Sequence, residues 1–150
     1  MIVYTAGPIS GLGYDEVVNR YKIRAKILQN MGYEILCPMT GKDYLRNELE
    51  FRASGYAHPA STNHAIIERD RWMVGKSDII HVDLTNAPEK ASIGSCMELA
   101  WAYELRKHTL IIMQEENTHR HAFVLEAADI VFTTVEESYD YLEKFIKGIV

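Results

Sequence analysis

Ile2-Val3-Tyr4-Thr5-Ala6-Gly7-Pro8-Ile9-Ser10-Gly11-Leu12-Gly13 is the stretch on which the fold turns. Its opening, Ile2 to Ala6, is β-branched, aromatic or small and reads as a short buried strand. Gly7 to Gly13 is rich in glycine, carries Pro8 and reads as a turn. From Tyr14 to Met31 the apolar residues Val17, Val18, Tyr21, Ala25 and Leu28 recur at helical spacing, and Gly32 is a natural stop. Tyr33 to Cys37 reads as a second strand, closed by Pro38. The chain thus begins strand, turn, helix, strand.

The same alternation continues. Residues 39–62 are irregular, polar and aromatic, a long loop or lid insert of a length that in a compact domain is usually functional. A helix is predicted from Asn63 to Val74, ended by Gly75, and a strand from Asp78 to Leu84. After a loop from Thr85 to Ala91, a helix is predicted over Ser92–Lys107 and a strand over Thr109–Met113. A short helix over His121–Ala128 precedes a last strand over Asp129–Thr133. Thr134-Val135-Glu136-Glu137 has the form of a capping box and opens a final helix with Tyr139, Leu142, Phe145 and Ile146 facing inward. Strands alternating with helices imply an α/β fold, with five mainly parallel strands and helices on both faces. Ligands in such folds sit beyond the carboxyl ends of the strands, so the loops 7–13, 38–62, 85–98 and 114–121 are the ones to watch.

The 150 residues fit one domain, 47% hydrophobic and 25% charged. A formal net charge of -5 argues against nucleic-acid polymers and anionic membranes as partners, yet leaves room for a single nucleotide. Cys37 and Cys96 lie far apart and read as buried intracellular thiols. The first residues lack the basic and apolar regions of a leader, and no apolar run approaches a membrane span, so a cytoplasmic location is expected.

Glu98 is the first candidate for chemistry. Small residues, Gly94, Ser95 and Ala102, flank it one turn away, so a ligand can approach its carboxylate. The helix start favours negative charge there. An ionised, accessible carboxylate on a rigid element meets the needs of a glycosyl nucleophile. Taken alone, such a Glu is more often an acid that merely stabilises the helix dipole. Asp70 shares a helix face with Ile66, Ile67, Met73 and Val74, where an acid is costly unless paired or functional. Pairing with Arg69 or Arg71 is the plain explanation. The Gly7-Pro8-Ile9-Ser10-Gly11 turn offers backbone N–H groups to a sugar or phosphate, although it is neither a dinucleotide fingerprint nor a Walker sequence. Ser92, Gly94 and Ser95 form a second small polar cluster, with N-capping as their ordinary use. The six histidines make no metal-binding pair on a helix, and no esterase-type nucleophile elbow appears. No metal or redox cofactor is expected.

Three ordered segments, Tyr4-Thr5-Ala6-Gly7-Pro8-Ile9-Ser10, then Asp70 followed by Ser77-Asp78-Ile79-Ile80, then Ser92-Ile93-Gly94-Ser95-Cys96-Met97-Glu98-Leu99-Ala100-Trp101-Ala102, resemble the nucleoside 2-deoxyribosyltransferase family. The resemblance runs from residue 1 to about 133. It implies a flavodoxin-like, Rossmann-type sheet and a set of roles. Glu98 would attack the anomeric carbon of a deoxyribose, Asp70 would help protonate the leaving base, and Tyr4 would hold Glu98. Gly7, Pro8, Ile9, Ser10, Ser92 and Gly94 would bind substrate. Members are oligomers with shared sites, and His121 and Phe123 stand where a neighbouring subunit would contribute.

Two departures are visible. Transferases of the family usually carry an acid six residues before the nucleophile, where this chain has Ser92. The related 2'-deoxynucleoside 5'-monophosphate N-glycosidases resemble it there, with S-x-G-x-x-x-E, but tend to place a basic residue where this chain has Ser10. Arg120, His119 or His121 are the sequence candidates to replace that charge. Three functions follow for test: transfer between bases on a deoxynucleoside, hydrolysis of a deoxynucleoside monophosphate, and non-catalytic nucleotide binding or sensing. The implied partners are a small deoxynucleoside or deoxynucleotide, a free base, and further copies of the chain.

Overall fold

The computed structural model describes residues 1–87 and 89–149. Strand β1 (Ile2–Ala6) lies in the interior of a parallel sheet because both of its faces are apolar enough to be covered. β2 (Glu34–Leu36) pairs on one side of it and β3 (Ile79–Asp83) on the other; β4 (His108–Ile112) and β5 (Ile130–Phe132) complete the order β2-β1-β3-β4-β5. All four pairings are parallel, with Tyr4 opposite Leu36 and Ile80. This is the doubly wound, flavodoxin-like order, and its switch point lies between β1 and β3.

Alternate residues of the strands feed two cores. Val3, Ile79 and Leu110 pack under α1 (Tyr14–Met31) and α5 (Val135–Lys147), meeting Leu28 and Leu142. Tyr4, Ala6, Ile80, Val82, Ile111 and Met113 face the other side, under α2 (Asn63–Lys76), α3 (Ile93–Glu104) and α4 (Ala122–Glu126). The alternation that a period-two pattern requires is what places Tyr4 on the α2–α3 side.

Several boundaries differ from the sequence expectation, for local reasons. Gly75 does not end α2: its backbone stays helical, and the stop comes at Ser77, whose N–H and hydroxyl both return to the Met73 carbonyl. α3 stops before Lys107 because Arg106 takes a left-handed φ of 53°, a role usually given to glycine. Ser92 is the N-cap of α3 and not its first residue. The capping box at Thr134 and Glu137 forms as expected, and Leu142 is buried, but Phe145 is largely exposed, stacked on His108. Ile67 is likewise exposed, so the apolar face around Asp70 is narrower than its spacing implied. Cys37 and Cys96 are free thiols, half-buried instead of buried.

The insert 39–62 is a packed wall with two single-turn 3-10 helices, Asp43–Leu45 and Pro59–Ser61. Met39, Leu45 and Phe51 bury their side chains with Val17 and Tyr21 of α1. Two backbone hydrogen bonds fasten it to the turn after β1: Gly11 N–H donates to the Phe51 carbonyl at 2.9 Å, and Phe51 N–H to that of Leu12 at 2.8 Å. Among the described residues no helix is long and apolar enough to cross a membrane.

Candidate active site

A cleft of about 840 Å³ opens where the switch point requires, between the turn after β1, the start of α3 and the 39–62 wall. Its lining brings together the loop residues Gly7, Pro8, Ile9 and Ser10, the α3 residues Ser92, Gly94 and Glu98, and Asp70 of α2. Gly7 is glycine because a Cβ there would stand 2.6 Å from the Asp83 carbonyl oxygen, so the loop can lie flat against the end of β3 only without a side chain. A Cβ at Gly94 would meet no atom within 4 Å, leaving the surface of α3 open.

Glu98 is 6% exposed and points into this cleft from the second turn of α3. Its Oε1 accepts a 2.5 Å hydrogen bond from the Tyr4 hydroxyl, which rises from the buried middle of β1. The sequence reading expected the helix start to hold Glu98 ionised. The structure corrects this: the dipole's influence fades after the first turn, and burial pushes the carboxyl up to about 8. The Tyr4 hydrogen bond and the Lys42 ammonium pull it down, while the Asp70 charge raises it. Burial raises Tyr4 well above the ordinary phenol range, so it stays a neutral donor.

Asp70 is buried beside the same cleft. Arg69 donates to its Oδ1 from Nε at 3.2 Å and from Nη2 at 2.9 Å, so the pairing and the cleft position are both real. Arg69 Nη2 is itself anchored on the Pro38 carbonyl at 3.1 Å. Burial raises the Asp70 carboxyl, with Lys42 and Arg69 opposing it.

Two further residues matter here, Lys42, which the sequence did not single out, and His119, which it offered only as a replacement charge. Lys42, from the wall, lines the cleft while only 7% exposed. His119 is buried and accepts the Ser92 N–H on Nε2 at 2.6 Å. Its Nδ1 therefore carries the proton, donated to Asn117 Oδ1 at 3.0 Å, and Asn117 in turn donates to the Leu84 carbonyl. This relay ties the start of α3 to the end of β3, and burial keeps His119 neutral by lowering its pKa. His119 thus supplies no charge to a ligand. Arg120, His121 and Phe123 are exposed and lie outside the cleft lining, Phe123 being 82% exposed. The basic side chains that do line it are Lys42, Arg52 and Lys90.

Fold and cleft together define a flavodoxin-like α/β protein with two buried acids at the switch point. The sequence profile of the nucleoside 2-deoxyribosyltransferase family matches residues 3–142, and the chain belongs to that family. Transfer or cleavage at an N-glycosidic bond is accordingly its class of activity. No curated protein matches the sequence. Solved structures share the fold at low identity. A conserved protein from Enterococcus faecalis V583 superposes with a TM-score of 0.67 at 14% identity, covering 97% of this chain and 98% of that one. The 2-deoxyribosyltransferase from Bacillus psychrosaccharolyticus gives 0.66 at 15%, covering 94% and 92%. The CMP N-glycosidase from Clostridium botulinum gives 0.59 at 12%, covering 97% and 99%.

Proposed function

We propose that the protein is a nucleoside 2-deoxyribosyltransferase, which breaks the N-glycosidic bond of a 2'-deoxynucleoside and passes the sugar to a second base through a covalent ester on Glu98. The observation that carries this is the meeting of Glu98, hydrogen-bonded by Tyr4, with Asp70 in one cleft at the switch point. In the first half-reaction the Glu98 carboxylate attacks C1', and the bonding pair of the glycosidic bond leaves with the base nitrogen. Asp70 supplies the proton that the departing base needs. In the second half an incoming base attacks C1' as it returns its N–H proton to Asp70, displaces the Glu98 carboxylate, and the configuration at C1' is retained after two inversions.

The reaction needs Glu98 without its proton and Asp70 with one. Burial holds the Glu98 proton up to about 8, so the reactive anion is the minority form at neutral pH; the Tyr4 hydroxyl and the Lys42 ammonium pull Glu98 toward it, and burial favours the neutral Asp70. The Gly7 to Ser10 turn and the Ser92–Gly94 start of α3 hold the sugar end of the substrate. A second copy of the chain completes each site through His121 and Phe123. Large apolar side chains left exposed on α2, α3 and α4, among them Trp72, Ile93, Tyr103 and Phe123, support such an association.

One observation favours a second reading, hydrolysis of deoxynucleoside 5'-monophosphates. The position six residues before Glu98 is Ser92, not an acid, and Lys90 lines the cleft beside it. There the acceptor is water, and the products are free base and deoxyribose 5-phosphate. Incubation of the protein with deoxynucleosides plus a free base, and separately with deoxynucleotides, separates the two. Transfer yields a new nucleoside; hydrolysis yields base and sugar phosphate. If neither substrate class turns over while nucleotides still bind, the enzymatic proposal gives way to a sensing role.

A further inference from the structure

Lys42 is the one strongly buried cation of the cleft to which the proposed chemistry gives no substrate contact. It is nine-tenths buried, lines the cavity, and forms no hydrogen bond or ion pair through its ammonium among the described residues. Unlike Arg24 Nε and His81 Nδ1, which are sealed in without partners, the Lys42 ammonium keeps accessible surface, so its donors are open to an acceptor on a ligand in the cleft. The backbone around it is fixed: Lys42 N–H donates to the Met39 carbonyl at 3.2 Å, and Leu45 N–H to that of Lys42 at 3.0 Å.

Its position tells which part of a substrate it meets. The segment that carries it is held beside Asp70: Arg69 Nη2 donates both to the Pro38 carbonyl and to Asp70 Oδ1, and Lys42 follows Pro38 by one turn, its N–H on the Met39 carbonyl. It therefore stands at the Asp70 end of the cleft, where the base leaves, and not at the Ser92–Gly94 end. The lining of the same cleft includes Met39, Phe51, Tyr56 and Ile66, apolar or aromatic surfaces suited to a flat ring. An ammonium has donors only, so its partner on that ring must be an acceptor.

We infer that Lys42 is a base-recognition residue that selects nucleobases presenting a carbonyl oxygen, as hypoxanthine or guanine does at the purine six-position, over bases presenting an amine there. Lysine meets the O6 acceptor of a keto purine with a donor, whereas the six-amino group of adenine would set donor against donor. With Asp70 protonating the ring nitrogen, the two side chains read adjacent acceptors of one base edge. Burial lowers Lys42 to about 8, with Arg69 acting in the same direction and Asp70, Glu98 and Cys37 opposing, so at neutral pH the ammonium form prevails.

This inference rests on the cleft being an N-glycosidic site, and the test keeps the two apart. Turnover of 2'-deoxyinosine and 2'-deoxyadenosine, and of their 5'-monophosphates, is compared for the parent, Lys42→Met and Lys42→Gln. The readout is the ratio of kcat/KM for the inosine over the adenosine substrate, because any effect of the lost cation on Glu98 is common to both. The parent prefers the inosine substrate. Lys42→Met, close in volume and free of buried charge, reduces that preference roughly 10–100-fold, the range for losing a hydrogen bond to a charged group. Lys42→Gln, whose amide donates or accepts, narrows the preference as well. A parent preference for adenosine, or an equal loss on both substrates in the variants, overturns the inference while leaving the Glu98 chemistry intact. Equilibrium binding of hypoxanthine and adenine supplies the other arm. Hypoxanthine binding that Lys42→Met abolishes, without any turnover, keeps the inference and sinks the enzymatic reading; absence of both turnover and binding sinks both.

Discussion

Asp83 and Glu98 are equally buried, each 6% exposed, and both stand near the carboxyl end of β3. Their surroundings are opposite. Asp83 is saturated: Arg24 forms an ion pair with Oδ2, and Thr85 donates its N–H at 2.9 Å and its hydroxyl at 2.6 Å to Oδ1. Arg24 also reaches the Ala6 carbonyl, so that pair fastens β3 to β1 under α1. Glu98 has one protein donor, Tyr4, and otherwise faces a cavity and a second acid. Burial alone does not mark a working carboxylate. What marks Glu98 is the bonding capacity that the protein leaves unused, and that capacity is available to a substrate.

The contrast is open to attack, beginning with the largest expected effect. Glu98→Ala should lower turnover by on the order of 10⁴-fold or more, with substrate binding largely kept. Parent-like activity in that variant would remove Glu98 from the chemistry. Glu98→Gln should also raise stability above neutral pH. The folded carboxyl holds its proton up to about 8, whereas an unfolded one releases it near 4.5, so the parent loses stability as pH rises between those values and the amide does not. The difference in Tm should widen from pH 5 to 8 and then level; a constant gap would contradict the raised pKa.

Asp83→Ala should do the reverse. Stranding the Arg24 guanidinium costs ~3–5 kcal/mol in urea denaturation. If stability were kept and catalysis lost, the roles assigned to the two acids would have to be exchanged.

Asp70→Asn removes both a proton donor and a like charge. We expect a loss of ~10²–10⁴-fold in kcat/KM. The acid limb of the residual pH profile should move to lower pH, since the Asp70 charge raises Glu98. Tyr4→Phe should cost less, ~10–100-fold, and should move the same limb the other way, above about 8. Limbs that shift together in both variants would break the proposed coupling.

Much of this was legible in the sequence, and the gaps have physical causes. All five strands were found because buried parallel strands are short apolar runs between glycines and prolines, as at Ile2–Ala6 and Ile79–Asp83. Helix ends were less legible: Arg106 stops α3 in a conformation its residue type does not advertise, and Gly75 continues α2 where glycine usually ends one. Of the expected site, Glu98, Asp70, the Gly7–Ser10 turn, Ser92 and Gly94 line one cleft with Tyr4 behind it, while His121 and Phe123 lie apart. Lys42 escaped notice because its burial is set by residues distant in sequence; Met39, Leu45 and Phe51 were the signal that the segment around it packs. His119 was expected as a replacement charge, and its actual role was missed for a related reason, since nothing local says that its ring will turn toward Ser92.

The paired hydrogen bonds between Gly11 or Leu12 and Phe51 have a kinetic consequence. They splice the wall to the first β–α connection, so ordering of the cleft takes place while the chain folds and not when a substrate arrives. Ligand capture should then follow a single exponential whose rate rises linearly with concentration, without a slow closing phase. The Gly11 and Phe51 amides should exchange with solvent deuterium in step, as parts of one opening unit.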